Sequence, residues 1–115
     1  MHYEGSCHCG EVRFNVDVDL SRPITCNCSY CQRRGSILAF TPEENFELEQ
    51  GEDKLTEYRF NTRQIAHSFC SVCGMQSFAR AAAPDGTKMV AVNVRCLEGV
   101  DIESLKPTQV DGRSR

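Results

Sequence analysis

The sequence predicts an all-β fold, and three observations carry that reading. Residues 11–19 alternate strictly, with Val12, Phe14, Val16 and Val18 on one side and charged or polar residues on the other, the pattern of a half-buried strand. Further short β-rich segments recur at a spacing of roughly ten residues, punctuated by Gly, Pro, Asn and Asp. Helical periodicity is weak along the whole chain.

Taken in order, residues 11–19 form the first expected strand. Pro23 opens a short segment, Ile24-Thr25-Cys26, that ends in a cysteine cluster. Residues 36–40 read as a buried strand stopped by Thr41-Pro42. Phe46 and Leu48 alternate with Glu47 and Glu49, and Gln50-Gly51-Glu52-Asp53 supplies turn chemistry before a strand over residues 55–60. Residues 64–69, 76–80 and 88–94 are further strand candidates, the last two joined by Pro84-Asp85-Gly86. A helical turn is expected after Cys31 and another over residues 101–105. No repeat, low-complexity tract or linker divides the chain, so residues 1–115 are expected to form a single domain.

Composition narrows the function classes. The 115 residues are 40% hydrophobic and 25% charged, ordinary for a globular protein and too apolar for a disordered one. Sixteen acidic against thirteen basic side chains give a net charge of −3, which argues against a nucleic-acid or anionic-membrane surface, since both call for a basic stripe. The longest apolar runs, Ile37-Leu38-Ala39-Phe40 and Met89-Val90-Ala91-Val92, are far below the ~20 residues of a membrane span. The first residues lack the basic and apolar regions of a secretory leader, so a cytoplasmic location is expected. Spare sheet edges would suit a homodimer.

The anomaly is cysteine, with eight residues at positions 7, 9, 26, 28, 31, 70, 73 and 96. A reducing compartment and tight clustering both favour metal thiolates over structural disulfides. Cys7-His8-Cys9-Gly10 and Cys70-Ser71-Val72-Cys73-Gly74 are two glycine-backed knuckles. Such a chain turns back so that its amides face the sulfurs, and the glycine after the second cysteine allows the positive φ this needs. Together they offer the closed four-thiolate set of a structural zinc.

Cys26-Asn27-Cys28-Ser29-Tyr30-Cys31 places three further thiols side by side. Three protein ligands and one open position is the arrangement of a catalytic zinc, so two zinc ions per chain are expected. A trithiolate site is a poor Lewis acid but suits an incoming thiol. Cys96, or a histidine at position 2, 8 or 67, would instead close this site, and an iron–sulfur set is the other alternative. Cys96 reads as a buried free thiol at the end of an apolar strand. His67 reads as a packed or surface histidine. Arg33 and Arg34, in Gln32-Arg33-Arg34-Gly35-Ser36, are candidates to grip substrate carboxylates through bidentate hydrogen bonds, the alternative being a solvated charged turn.

With these residues assembled, the chain resembles the glutathione-dependent formaldehyde-activating enzyme family, also called the centromere protein V family. The resemblance rests on Gly5-Ser6-Cys7-His8-Cys9-Gly10-Glu11-Val12-Arg13-Phe14, on Cys26-Asn27-Cys28-Ser29-Tyr30-Cys31 and on Phe69-Cys70-Ser71-Val72-Cys73-Gly74. Further agreement lies in Phe40-Thr41-Pro42, residues 51–60 and Val92-Asn93-Val94. It implies an Mss4-like β-tent of small antiparallel sheets organised around zinc. By the resemblance, Cys7, Cys9, Cys70 and Cys73 match structural zinc ligands, and Cys26, Cys28 and Cys31 match catalytic ones. The implied activity is that of a carbon–sulfur lyase, joining glutathione and formaldehyde into S-(hydroxymethyl)glutathione. Fold alone does not assign chemistry. Two other readings therefore stand beside the enzyme: a zinc-stabilised protein-binding module and a glutathione carrier. His8, His67 or water are the candidates for proton transfer.

Overall fold

The computed structural model describes residues 1–59 and 65–111. Strands β1 (His2–Ser6), β2 (Arg13–Asp17) and β5 (Phe46–Gln50) form one antiparallel sheet in the order β1-β2-β5. A seven-stranded sheet follows the order β10-β3-β4-β9-β8-β7-β6, from β3 (Ile24–Cys26), β4 (Leu38–Pro42), β6 (Leu55–Tyr58), β7 (Ala66–Cys70), β8 (Gln76–Ala82), β9 (Lys88–Asn93) and β10 (Thr108–Val110). All its described pairings are antiparallel except β10 with β3. One short helix, α1 (Ser29–Arg34), projects between β3 and β4. The all-β expectation holds.

The alternation in residues 11–19 does what period-two patterning requires. Val12, Phe14, Val16 and Val18 are all buried, Phe14 and Val16 within β2 and Val12 and Val18 at its two ends. The two sheets meet at three aromatic rings. Phe14 stacks on Phe46 at 5.2 Å between centroids, Phe46 lies 4.7 Å from Phe78, and Phe14 meets Phe78 edge-on at 6.2 Å. Val90, Val92 and Val94 complete the same apolar cluster from β9 and the turn after it. Arg80 covers the outside of this seam, its guanidinium 5.3 Å from both the Phe46 and Phe78 rings.

Several boundaries differ from expectation, each for a physical reason. Thr41-Pro42 does not stop β4, because Pro42 still pairs with Met89 of β9 while β3 contacts β4 only at Ile24–Leu38. A proline with no strand on its other side forfeits no ladder bond there. Helix α1 begins before Cys31, since the Cys28 sulfur caps it by accepting from the Cys31 amide at 3.3 Å. The segment holding Arg33 and Arg34 is thus the last turn of a helix. Strands β1 and β10 escape the sequence reading because neither carries an alternating apolar face; β2 and β3 recruit them by ladder bonding. Cys96 sits in a 3-10 turn, Val94–Cys96, rather than in the strand before it. The 3-10 turn Ile102–Ser104 matches the turn expected over residues 101–105. Phe60 and Gln64, the ends of two expected strands, lie outside the described residues.

Candidate metal centres

All eight cysteines are free thiols, and seven of them fall into two groups whose sulfurs lie within 4.8 Å of one another. Cys7 and Cys9 come from the turn between β1 and β2, in the small sheet. Cys70 and Cys73 come from the end of β7 and the turn that follows, in the large one. The Cys7–Cys9 and Cys9–Cys70 sulfurs are each 3.6 Å apart. A tetrahedron with metal–sulfur bonds of about 2.3 Å has edges of about 3.8 Å, so these separations fit a shared metal and are far too long for a disulfide.

Local backbone geometry explains how each knuckle presents its thiols. Gly10 and Gly74 have φ of 83° and 79°, the left-handed turn the sequence calls for. Their amides close the turns onto the Cys7 and Cys70 carbonyls at 3.3 and 2.8 Å. The Val12 and Val72 amides then donate to the Cys7 and Cys70 sulfurs, each at 3.4 Å. Opposed titrations mark the crowding of the four thiols. Backbone hydrogen bonding to Cys9 favours its thiolate, but burial and the Cys7, Cys70 and Cys73 sulfurs outweigh that and push it up to about 12. Burial also acts to raise Cys73, yet backbone hydrogen bonds from Cys9 and Met75 bring it down to about 6. A cluster in which one sulfur ionises at its neighbours' cost is a donor set that suits a divalent cation.

Cys26, at the end of β3, Cys28, the cap of α1, and Cys31, in its first turn, form the second group, each partly buried. The Cys28 amide donates to the Cys26 sulfur at 3.5 Å, and the Cys31 amide to that of Cys28. Burial drives Cys31 up to about 12, with Cys28 and Cys26 adding to the rise. Cys28 moves down, because the Cys31 and Tyr30 amides and the adjoining thiols outweigh its burial. Among the described residues no fourth Cys, His, Asp or Glu joins this group. The three thiols can hold a metal ion and leave a coordination position open.

Elsewhere, the histidines and Cys96 have other partners. His2 pairs with Asp17 at 3.2 Å on the surface, and His8 is exposed. Cys96 directs its thiol to the Gln76 carbonyl at 3.8 Å, and burial raises its pKa. His67 is packed, 6% exposed, with its ring 4.3 Å from that of Tyr30. Burial, and then the Arg34 charge, hold its imidazole below the ordinary value, so it is neutral at pH 7.

An open cavity of ≈ 690 Å³ flanks α1, lined by Tyr30, Arg33 and Arg34 of the helix, by Tyr58, Phe69 and Met75, and by Cys73 and Gly74 of the second knuckle. Both candidate arginines therefore face one space. Arg34 also braces the fold, donating to the Tyr30 hydroxyl at 3.0 Å and the Gly74 carbonyl at 3.2 Å. Arg33 donates to the Ser29 carbonyl of its own helix at 2.8 Å. The sequence reading missed Tyr30, which stacks on Tyr58 at 5.5 Å and donates to the Gln76 side chain. Its only local signal is the four-residue spacing from Arg34, which puts both on one helix face.

The architecture and the cysteine pattern both have counterparts in known proteins. The crystal structure of a Rhodobacter sphaeroides protein matches with a TM-score of 0.82 and 33% sequence identity, covering 92% of this chain and 97% of that one. The family model described as glutathione-dependent formaldehyde-activating enzyme matches residues 2–110, a span that takes in both thiol groups and every described strand. The chain thus belongs to the glutathione-dependent formaldehyde-activating enzyme family.

Proposed function

We propose that this protein is a zinc-dependent carbon–sulfur lyase-type enzyme that joins a glutathione-type thiol to formaldehyde and cleaves the same adduct in reverse. The observation that carries this reading is the three-thiol group Cys26, Cys28 and Cys31, left one donor short of a closed tetrahedron at the start of the helix whose Tyr30, Arg33 and Arg34 line a cavity. A zinc held there would supply the positive charge that lets a substrate thiol ionise near neutral pH. The four-thiol group holds a second, structural zinc that ties the two sheets together.

The reaction needs no oxidant or reductant. The thiol sulfur forms a bond to the aldehyde carbon, the carbonyl π bond breaks, and the proton lost by sulfur ends on the new hydroxyl oxygen. The chain's own residues hold the substrates. Arg33 binds a carboxylate of the thiol, and the Tyr30, Tyr58 and Phe69 rings form the cavity wall along its peptide portion. A reduced trithiolate fits the interior of a cell, and we place the protein in the cytoplasm.

Native mass spectrometry with and without glutathione tests the assignment, followed by the rate of adduct formation above the uncatalysed background. Two zinc ions per chain, a glutathione complex and an accelerated rate are expected. A chain that carries two zinc ions but neither binds glutathione nor raises the rate would overturn it in favour of a structural binding module. Arg33→Ala is expected to raise KM for glutathione about tenfold, the worth of one charged hydrogen bond, and to leave KM for 2-mercaptoethanol unchanged. Equal effects on both thiols would remove Arg33 from carboxylate recognition.

A further inference from the structure

A line of polar groups runs from exposed Arg34 through half-buried Tyr30 on α1 to buried Gln76 and His67 in the large sheet, and its direction can be read from its first member. Arg34 has only donors. Its Nε donates to the Tyr30 hydroxyl at 3.0 Å, and that hydroxyl in turn donates to Oε1 of Gln76. With Oε1 so engaged, the other end of the amide, Nε2, faces Nδ1 of His67 at 3.4 Å. An amide nitrogen donates, so Nδ1 accepts. A neutral imidazole that accepts at Nδ1 carries its proton on Nε2.

Nothing in apolar packing calls for these groups. Gln76 and His67 are 5% and 6% exposed on the neighbouring strands β8 and β7, and a polar side chain in that setting persists only when its hydrogen bonds are made. Tyr30 lies between Cys28 and Cys31 on α1, so the Gln76 side chain fixes the helix that presents two of the three open-site thiols.

We propose that Gln76 is a positioning residue, the hinge of a one-way relay Arg34→Tyr30→Gln76→His67 that holds α1 on the sheet and locks His67 with its proton on Nε2. The catalytic part of this inference rests on the proposed thiol–aldehyde activity; the tautomer does not. In this relay the basic nitrogen of His67, Nδ1, is engaged by the Gln76 amide rather than open to the cavity's substrate.

Long-range ¹H–¹⁵N correlation spectra of the zinc-loaded protein at neutral pH read the tautomer directly. The His67 signals are expected to show an unprotonated Nδ1 and a protonated Nε2. Gln76→Glu keeps an acceptor for Tyr30 but offers His67 an acceptor too, and the two nitrogen signatures should exchange. Gln76→Leu should retain two zinc ions and lower kcat on the order of tenfold with KM for the thiol little changed, as loss of positioning does. A wild-type His67 protonated at Nδ1 would overturn the relay, even if both variants failed to fold. Unchanged kcat in Gln76→Leu would overturn the positioning role. A wild-type protein without turnover but with the expected tautomer would count against the proposed activity and leave the relay standing.

Discussion

Cys73→Ser is expected to lower the unfolding midpoint of the zinc-loaded protein sharply. Its sulfur belongs to the group that joins the turn after β1 to the turn after β7, and the Cys9–Cys70 contact within it closes 61 residues of chain. No disulfide links the small sheet to the large one. A structural thiolate zinc contributes about 10–16 kcal/mol of apparent binding free energy. A whole domain is stable by only about 5–15 kcal/mol, so weakening that site takes most of the margin. Circular dichroism during denaturant titration, with zinc counted by native mass spectrometry, provides the check. A Cys73→Ser protein that keeps its full transition midpoint would show that the aromatic seam of Phe14, Phe46 and Phe78 suffices. The structural role of the four-thiol group would then fall.

Cys28→Ser should behave in the opposite way: a folded protein with one zinc and almost no activity. The fold survives for a local reason. Cys28 caps α1 by accepting from the Cys31 amide, and serine is among the best residues for that position. Removing the sulfur leaves two thiols, too few to hold a metal against bulk water and competing chelators. Loss of a metal's charge stabilisation removes several kcal/mol from the barrier reduction, so kcat/KM should fall by at least about 100-fold. Retained activity in a one-zinc Cys28→Ser protein would move the chemistry away from the trithiolate. The contrast with Cys73→Ser tests the division of labour itself, since each variant lacks a single sulfur. Matching outcomes in the two would contradict it.

Much of this molecule is legible one residue at a time. The alternation of Val12, Phe14, Val16 and Val18 names the buried side of β2 because a strand sends successive side chains to opposite faces. The glycines at 10 and 74 announce tight turns because other residues resist positive φ, and both adopt it. The partition of seven cysteines into a four and a three follows from knuckle spacing, and the sulfurs gather in those groups. Even the resemblance to a family rests on short contiguous motifs. Those same motifs carry no information about partners far away in sequence.

What only the tertiary structure decided are the contacts between segments. Arg34 reads as a solvated or substrate-binding charge, yet it braces the Gly74 knuckle, forty residues onward. His67 reads as a packed or surface histidine, and Gln76 goes unremarked as the first polar position of an apolar strand. Their roles appear once β7 and β8 pair, their side chains meet at 3.4 Å and α1 brings Tyr30 onto both. β1 and β10 form only because β2 and β3 already present ladder groups to them. The sequence by itself determined the β periodicity, the turns and the two thiol groups, since spacing along the backbone dictates each of these. The cavity, the relay and the union of the two sheets depend on long-range packing, because hydrogen bonds and ring contacts join atoms by distance in space and leave no periodic trace along the chain.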